Sequence, residues 1–253
     1  MAPLADQLAA LGLRYTAAHL DDVVALATKR RWSLTQLLEH LAETEHQERT
    51  RCSLERRLAR SRIGRFTPMS DFDWAWPKRL DRAAVDAVLR LDFLADARNV
   101  VLVAAQGLGK TMIAQNIAYA AVLAGTHVLF TTAAQLVLDL GSQESTRALA
   151  RRLTHYATRG LLVIDEIGYL SYDARAADLL FQVVARRYEK RSVVLTTNLP
   201  FSDWPTIFPN AGSAIALIDR LVHHAEIITI DGDSYRRRVA EAKRKPPRSA
   251  SEG

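Results

Sequence analysis

The stretch Val-Leu-Val-Ala-Ala-Gln-Gly-Leu-Gly-Lys-Thr at residues 101–111 decides the fold of this chain. Its first half is an apolar run of strand length. Its second half matches the phosphate-binding loop G-x-x-x-x-G-K-[ST] except at the first position, which is Ala104. Such a loop turns backbone N–H groups toward phosphate oxygens at the start of a helix, and residues 112–124 favour a helix. We therefore predict a nucleotide site formed by Gln106, Gly107, Leu108, Gly109, Lys110, Thr111 and Met112.

Further apolar runs of strand length follow this stretch along the chain. Because they do not alternate with polar residues, they are typical of strands that are covered on both faces. Helical segments separate the first four strands, which favours parallel crossover connections. The predicted fold class is therefore α/β, with a parallel sheet and helices on both of its faces. The predicted strands are Val100–Val103, Val128–Phe130, Leu161–Ile164, Val193–Leu195 and Ile227–Ile230.

Two carboxylates, Asp165 and Glu166, end the third of these runs. In nucleotide hydrolases of this type the aspartate holds Mg²⁺ together with the loop hydroxyl, here Thr111, and the glutamate polarises the attacking water. Lys110 would contact the β- and γ-phosphates. Acids at strand ends also cap helices, but the phosphate loop upstream favours catalysis. The sequence thus predicts ATP and Mg²⁺ as cofactors.

Two further polar positions have less specific signals. Asn198 follows the fourth strand and could sense the γ-phosphate or orient water, although Thr-Thr-Asn is also ordinary turn chemistry. Arg220 precedes the last strand and could reach the nucleotide of a neighbouring subunit, or it could be a surface arginine. His223 and His224 are adjacent and lack partners at metal-motif spacing, so the sequence does not predict a zinc site there.

The N-terminal region, residues 1–64, is predicted to be a small helical domain. Ser33 and Gln36 fit a capping box that opens a long helix. The later part of this helix is strongly basic, with Glu55 as the opposing charge, so we expect it to contact DNA phosphates. A chain of helices with solvated basic faces is the alternative. The predicted DNA-binding residues are Arg49, Arg51, Arg56, Arg57, Arg60 and Arg62.

The remaining regions are a connector and a tail. Residues 65–97 read as a linker and an aromatic strap that packs on the core rather than stacking on bases. Residues 98–235 read as the nucleotide-binding domain, and residues 236–253 as a basic tail without fixed structure. Cys52 is the single cysteine, which excludes an internal disulfide. We see no secretory signal and no membrane span, so we expect a cytoplasmic protein.

Several segments together resemble the IstB-like family of insertion-sequence helper ATPases. The similarity covers nearly the whole chain. One segment that carries it runs from Phe72-Asp73-Trp74 through the phosphate loop. These proteins are AAA+ ATPases of the P-loop class, related to the helicase loader DnaC and the initiator DnaA. The other segments that carry the resemblance are Asp165-Glu166-Ile167-Gly168-Tyr169-Leu170, Thr196-Thr197-Asn198 and Ser234-Tyr235-Arg236.

The resemblance implies an ATP-hydrolysing homo-oligomer that assembles on double-stranded DNA and recruits or activates a DDE transposase. It also implies roles for Asn198 as the first sensor and for Arg220 as an arginine finger acting in trans. Ala104 and Ala105 depart from the Gly-Pro that is usual in the family. Two other functions stay open: a loader of replicative helicases, and a DNA-binding scaffold with a degenerate nucleotide site that does not hydrolyse ATP.

Overall fold

The computed structural model of this chain contains two compact units, which divide between Arg56 and Arg57. The structure describes residues 2–169, 171–209, 211–235 and 237–238, without the side chains of Ala211 and Ser213. The predicted basic tail therefore lies outside the described residues, apart from residues 237–238. Within the described ranges, no helix is both long and apolar enough to cross a bilayer.

The first unit is helical. The predicted capping box at the start of its longest helix is confirmed, because Ser33 N–H donates to Gln36 Oε1 at 2.8 Å and Gln36 N–H donates to Ser33 Oγ at 3.2 Å. These reciprocal bonds satisfy two of the amides that a helix start leaves without partners. The helices that begin in this unit are α1 (Leu4–Ala10), α2 (Arg14–Ala18), α3 (Leu20–Arg30) and α4 (Leu34–Ser61), and the last residues of α4 belong to the second unit.

The second unit is built on a five-stranded sheet in which every strand pair is parallel. Its strands are β1 (Asn99–Ala104), β2 (Val128–Thr132), β3 (Leu161–Ile167), β4 (Val193–Thr197) and β5 (Ala225–Ile230), in the spatial order β2-β3-β4-β1-β5. Its helices are α5 (Arg82–Leu89), α6 (Lys110–Leu123), α7 (Ala133–Gly141), α8 (Thr146–Ala157), α9 (Ala174–Arg187) and α10 (Ala211–Val222). The predicted α/β fold class is confirmed.

Both faces of the sheet are covered. Val100, Val101 and Leu102 are consecutive in β1, and each has no exposed surface. Successive side chains of a strand point to opposite faces, so a run of buried neighbours requires cover on both sides. This is the physical reason that the strands were visible in the sequence as unalternated apolar runs.

Arg187, the last residue of α9, is a buried cation that holds backbone together. Its guanidinium donates to the carbonyl oxygens of five residues around the end of α8 and the start of β4, at 2.6 to 3.4 Å. Burial lowers the pKa of Arg187 to about 9, so the group stays charged at neutral pH. The accepting carbonyls are those of Tyr156, Ala157, Arg159, Gly160 and Ser192.

Candidate nucleotide-binding site

The predicted phosphate loop connects β1 to α6. Gly107 and Gly109 have φ values of 80° and 88°, a region that residues with a Cβ rarely adopt. Ala104, by contrast, is the last residue of β1, where it pairs with Ile230 in the extended conformation of a strand. The alanine at the first motif position therefore occupies a backbone conformation that any residue adopts, and it imposes no strain on the loop.

The same two glycines are required for close packing. A Cβ at Gly109 would lie 2.7 Å from Cε2 of Phe72, and a Cβ at Gly107 would overlap Oγ of Ser234. The loop thus fits between the aromatic strap on one side and the segment after β5 on the other. A Cβ at either position would therefore require Ser234 or Phe72 to shift, in addition to the backbone strain.

A cavity of about 340 Å³ opens over the loop. This volume is within the range of sites for small ligands and cofactors. Of the seven residues predicted to bind nucleotide, Gln106 is exposed to solvent. The six that line the cavity are Gly107, Leu108, Gly109, Lys110, Thr111 and Met112.

Aromatic side chains also line the cavity, and we call them its aromatic wall. Phe72 and Trp76 come from the strap and Tyr235 from the segment after β5, and the rings of Trp76 and Tyr235 are 5.9 Å apart. The sequence predicted that this connector packs on the core, and Met69 N–H does donate to Asn116 Oδ1 of α6 at 3.1 Å. Phe72 and Trp76 of the strap also line the candidate site. Flat apolar walls of this kind suit a planar base.

Hydrogen bonds and an ion pair join the strap to the segment after β5, and one further hydrogen bond joins that segment to the loop. Trp76 Nε1 donates to the carbonyl of Asp233 at 2.8 Å, and Tyr235 N–H donates to the carbonyl of Gly107 at 3.0 Å. The guanidinium of Arg238 lies 4.4 Å from the centre of the Trp76 ring and 3.3 Å from a carboxylate oxygen of Asp73. The residues after β5 therefore close one side of the cavity, a role that sequence reasoning missed.

The predicted magnesium ligands meet beside the loop. Thr111 Oγ1 donates to Oδ1 of Asp165 at 3.2 Å. Thr196 Oγ1 donates to the same carboxylate oxygen at 2.5 Å, which fixes the orientation of a buried acid. Sequence reasoning singled out Asn198 on this segment, but the residue that contacts the acid is Thr196. A hydroxyl and a carboxylate are oxygen ligands of the kind that Mg²⁺ prefers, so these residues fit that cation.

Glu166 lies at an irregularity in the sheet. The pairing of β3 with β4 shifts register between Ile164 and Ile167, and Glu166 has a φ of 63°. Its N–H donates to Thr196 Oγ1 at 2.9 Å, and its side chain is exposed. Bulges and positive φ values at non-glycine residues concentrate at functional sites because they re-aim a side chain.

The remaining predicted site residues are Lys110, Asn198 and Arg220. Lys110 Nζ donates to the carbonyls of Ala104 and Ala105 at 2.6 and 2.8 Å. Asn198 follows β4, the strand next to β1, and its Oδ1 lies beside Gly168. Arg220 is in α10, outside the set of residues that line the cavity. Its guanidinium lies 4.6 Å from the ring centre of Phe181 and donates to the carbonyl of Ala216.

The arginines predicted to bind DNA differ in their partners. Arg49 pairs with Glu45, and Arg51 pairs with both Glu48 and Glu55, so these two charges are balanced within α4. Arg56 donates to the carbonyl of Cys52, and Arg57 to that of Val122. Arg60 and Arg62 have exposed side chains.

Comparison with known proteins gives the family. The model of the family described as "IstB-like ATP binding protein" matches residues 6–243. The chain belongs to the IstB-like ATP-binding protein family. A relative within curated proteins, the ATP-binding protein of insertion sequence IS232 from Bacillus thuringiensis subsp. berliner, is 34% identical over 92% of this chain and 93% of its own length. The ATP-binding protein of insertion sequence IS21 from Pseudomonas aeruginosa is 32% identical over 90% of this chain and 86% of its own length.

Solved structures show the same fold as this IstB-like protein. The crystal structure of DnaI superimposes with a TM-score of 0.55 at 19% identity, over 68% of this chain and 91% of that one. The replication initiator DnaA bound to AMPPCP and single-stranded DNA superimposes with a TM-score of 0.50 at 18% identity, over 64% of this chain and 49% of that one. The IstB-like chain therefore has the AAA+ form of the P-loop fold.

Proposed function

We propose that this IstB-like protein is a Mg²⁺-dependent ATPase that assembles on double-stranded DNA and recruits or activates a transposase. The observation that carries the proposal is the meeting of Thr111, Asp165 and Thr196 beside the phosphate loop. The buried acid oriented by two hydroxyls supplies a position for Mg²⁺, and the exposed glutamate next to it supplies a base for the attacking water, which together suit hydrolysis.

The chain's own groups suit ATP and Mg²⁺. The backbone of residues 107–111 would hold the phosphates, Lys110 would leave the loop carbonyls for phosphate oxygens, and Thr111 with Asp165 would hold the cation. Bound Mg²⁺ neutralises charge that develops on the phosphates during transfer. The aromatic wall of Trp76 and Tyr235 would contact the base.

Glu166 is the group that we assign to the attacking water. Its carboxylate is exposed next to Asp165, so it is free to accept a proton from a water in line with the terminal phosphate. Asn198 would help to orient that water from the neighbouring strand. The strandlike backbone of Ala104 removes the main reason to regard the nucleotide site as degenerate.

A cluster of arginines in the second unit supports DNA as the partner. Arg159 is partly buried, and that burial together with the charges of Arg60, Arg152 and Arg62 lowers its pKa. Within this cluster Asp139 forms an ion pair with Arg152. Cations held together in this way attract a polyanion, and the attraction weakens as salt screens it. The charge of Arg152 is balanced by Asp139, so we extend the proposed DNA contacts to Arg159 alone.

The proposal makes the active form a homo-oligomer in the cytoplasm. Arg220 is outside the cavity of its own chain, and in the proposal it completes the site of a neighbouring subunit. The insertion-sequence origin of the relatives supports a transposase as the protein partner.

The test is ATP turnover by the full chain, with and without duplex DNA, at two salt concentrations, combined with sedimentation. We expect turnover, and ATP- and DNA-dependent assemblies that weaken with salt. Glu166→Gln should keep ATP binding and lose about 100-fold or more in turnover, while the exposed Glu144→Gln serves as the control. Absence of ATP binding, or normal turnover in Glu166→Gln, would contradict the proposal.

The DNA contacts are tested separately. Arg60→Ala combined with Arg62→Ala should weaken DNA binding and reduce its salt dependence, because each phosphate contact releases counterions. Arg186→Ala combined with Lys190→Ala removes two charges that are also exposed, at and just after the end of α9, and is the matched control. Equal DNA affinity in all three proteins would exclude the arginine cluster as the DNA site.

A further inference from the structure

A second cluster of possible ligand atoms lies at the amino ends of the strands, whereas the nucleotide site lies at their carboxyl ends. Glu189, in the turn between α9 and β4, is next to His223 and His224, in the turn between α10 and β5. Among the described residues this is the group of histidines and acids whose ligand atoms all lie within 4.8 Å of one another. The sequence did not predict a metal site there because the third ligand is remote in the chain.

We propose that Glu189, His223 and His224 form a binding site for a divalent transition-metal cation of the zinc class. One carboxylate oxygen of Glu189 lies 3.8 Å from Nδ1 of His223 and 3.8 Å from Nε2 of His224. Two ligands that are each about 2.1 Å from one ion are about 3 to 4 Å apart, so both distances suit a shared cation.

The donor set decides the class of cation. Two imidazoles with one carboxylate suit zinc, nickel, copper or cobalt, whereas Mg²⁺ and Ca²⁺ take oxygen ligands. The side chains of Glu189, His223 and His224 are 56%, 49% and 55% exposed, so they can close around an ion without moving the backbone. Three protein ligands would leave a coordination position for water.

Asn99 builds this site by tying the two turns together. Its N–H donates to the carbonyl of His224 at 2.9 Å, and its Nδ2 donates to the carbonyl of Leu221 at 3.0 Å. Its Oδ1 accepts from the N–H of Val193, at the start of β4, at 2.9 Å. One buried side chain therefore sets the spacing between the turns that carry the three ligands.

The turn after α9 sets the position of Glu189. Its φ is 54°, in the left-handed region that a residue with a side chain rarely adopts. The N–H of Lys190 donates to the carbonyl of Arg187 at 2.9 Å, so Glu189 is the third residue of a tight turn, where a positive φ is required. Here the conformation places the carboxylate beside two imidazoles.

Neighbouring groups are compatible with a cation. The hydroxyl of Tyr188 is 2.8 Å from Nδ1 of His223, within hydrogen-bond distance. A metal ion bound to this nitrogen would replace that hydrogen bond. Asp219 lines the same surface depression as His223 and adds negative charge. Arg220 carries a positive charge that would repel a cation, but its guanidinium is held over the ring of Phe181.

The site is separate from the nucleotide. Asn99 is the first residue of β1 and the phosphate loop follows its last, so the two sites are about 17 Å apart along the strand. A bound ion would join the end of α9 to the end of α10. We therefore expect it to raise the thermal stability of the protein and to leave Mg²⁺-ATP binding unchanged.

The experiment is calorimetric titration of the untagged, chelator-treated full chain with Zn²⁺ in the absence of nucleotide, with cobalt absorption as the spectroscopic readout. We expect one equivalent of Zn²⁺ to bind and the melting temperature to rise. His223→Ala, His224→Ala and Glu189→Gln should each weaken binding by about tenfold or more. His46→Ala and Glu144→Gln, at exposed positions elsewhere, are the matched controls and should bind as wild type does.

Folding of the variants is checked by their ATP affinity, which the proposal leaves unchanged. The proposal is overturned if wild type shows no saturable Zn²⁺ binding. It is also overturned if the His223→Ala/His224→Ala double variant binds Zn²⁺ as tightly as wild type, since the ion would then be held elsewhere. Both outcomes are independent of ATP hydrolysis, so they leave the proposed function untouched.

Discussion

The hydroxyl of Thr196 donates a 2.5 Å hydrogen bond to Oδ1 of Asp165. The same hydroxyl accepts the N–H of Glu166, so one side chain on β4 positions both acids at the end of β3. Thr196 is fully buried and would touch neither nucleotide nor water in the proposed mechanism. It is a positioning residue, and its effect on turnover should pass through the acids.

Replacing Thr196 tests this relationship. Thr196→Val keeps the shape of the side chain but leaves Asp165 without its shorter hydrogen bond. We expect turnover to fall by about 10- to 100-fold and the Mg²⁺ concentration for half-maximal activity to rise. Thr196→Ser retains a hydroxyl and should recover most of the activity. Equal Mg²⁺ dependence in wild type and Thr196→Val would show that the hydroxyl has no such role.

The backbone at Glu166 predicts opposite effects on stability and activity. Glu166→Gly relieves a φ of 63°, so the melting temperature should rise by about 2 to 4 °C, for about 1 kcal/mol, while turnover is lost. Ala97 has a φ of 52° and lies outside the cavity, so Ala97→Gly should give a similar rise with normal turnover. A fall in the melting temperature of Glu166→Gly would show that the backbone at Glu166 is not strained.

Two glycines with similar backbones separate packing from conformation. Gly109 and Gly125 have φ values of 88° and 91°, but only a Cβ at Gly109 would meet a neighbour, Phe72 at 2.7 Å, whereas a Cβ at Gly125 would have open space. Both alanine variants should lose about 1 to 2 kcal/mol of stability. Gly109→Ala should also lose ATP binding, measured by equilibrium titration. ATP binding by Gly125→Ala should match wild type.

The aromatic wall predicts an effect on substrate affinity. Trp76→Ala removes a ring that lines the cavity, and we expect the KM for ATP to rise by about tenfold with a small change in kcat. Trp32→Ala removes a ring that packs on His40 in the first unit and is the control. A lower kcat with unchanged KM would assign Trp76 to folding or assembly instead.

The sheet could be predicted from the sequence because its signal is local. Runs such as Leu161–Ile164 are buried on both faces, and burial on both faces appears as uninterrupted apolar residues. The phosphate loop is equally local, since Gly107 and Gly109 mark positions where the backbone itself requires glycine. The capping box at Ser33 was visible for the same reason.

The remaining features depend on contacts between distant segments. No pattern around Ser234 shows that this residue packs on the phosphate loop, and none near Glu189 shows that two histidines lie beside it. Helical periodicity also does not show whether other parts of the protein bury an apolar face. Leu34 and Leu38 have the predicted spacing but are 81% and 65% exposed. The bulge at Glu166 arises from the pairing of two strands, and neither strand shows it alone.

The position of Ala104 at the end of a strand has a consequence for recognising such proteins. The first glycine of the written motif stands where the chain is still paired with β5, so the position needs small size and extended backbone, which alanine supplies. A text search that insists on glycine there would discard this chain, although the residues that must be glycine are both present. Genome surveys that require glycine only at positions where the backbone conformation needs it would retain proteins that a fixed pattern rejects.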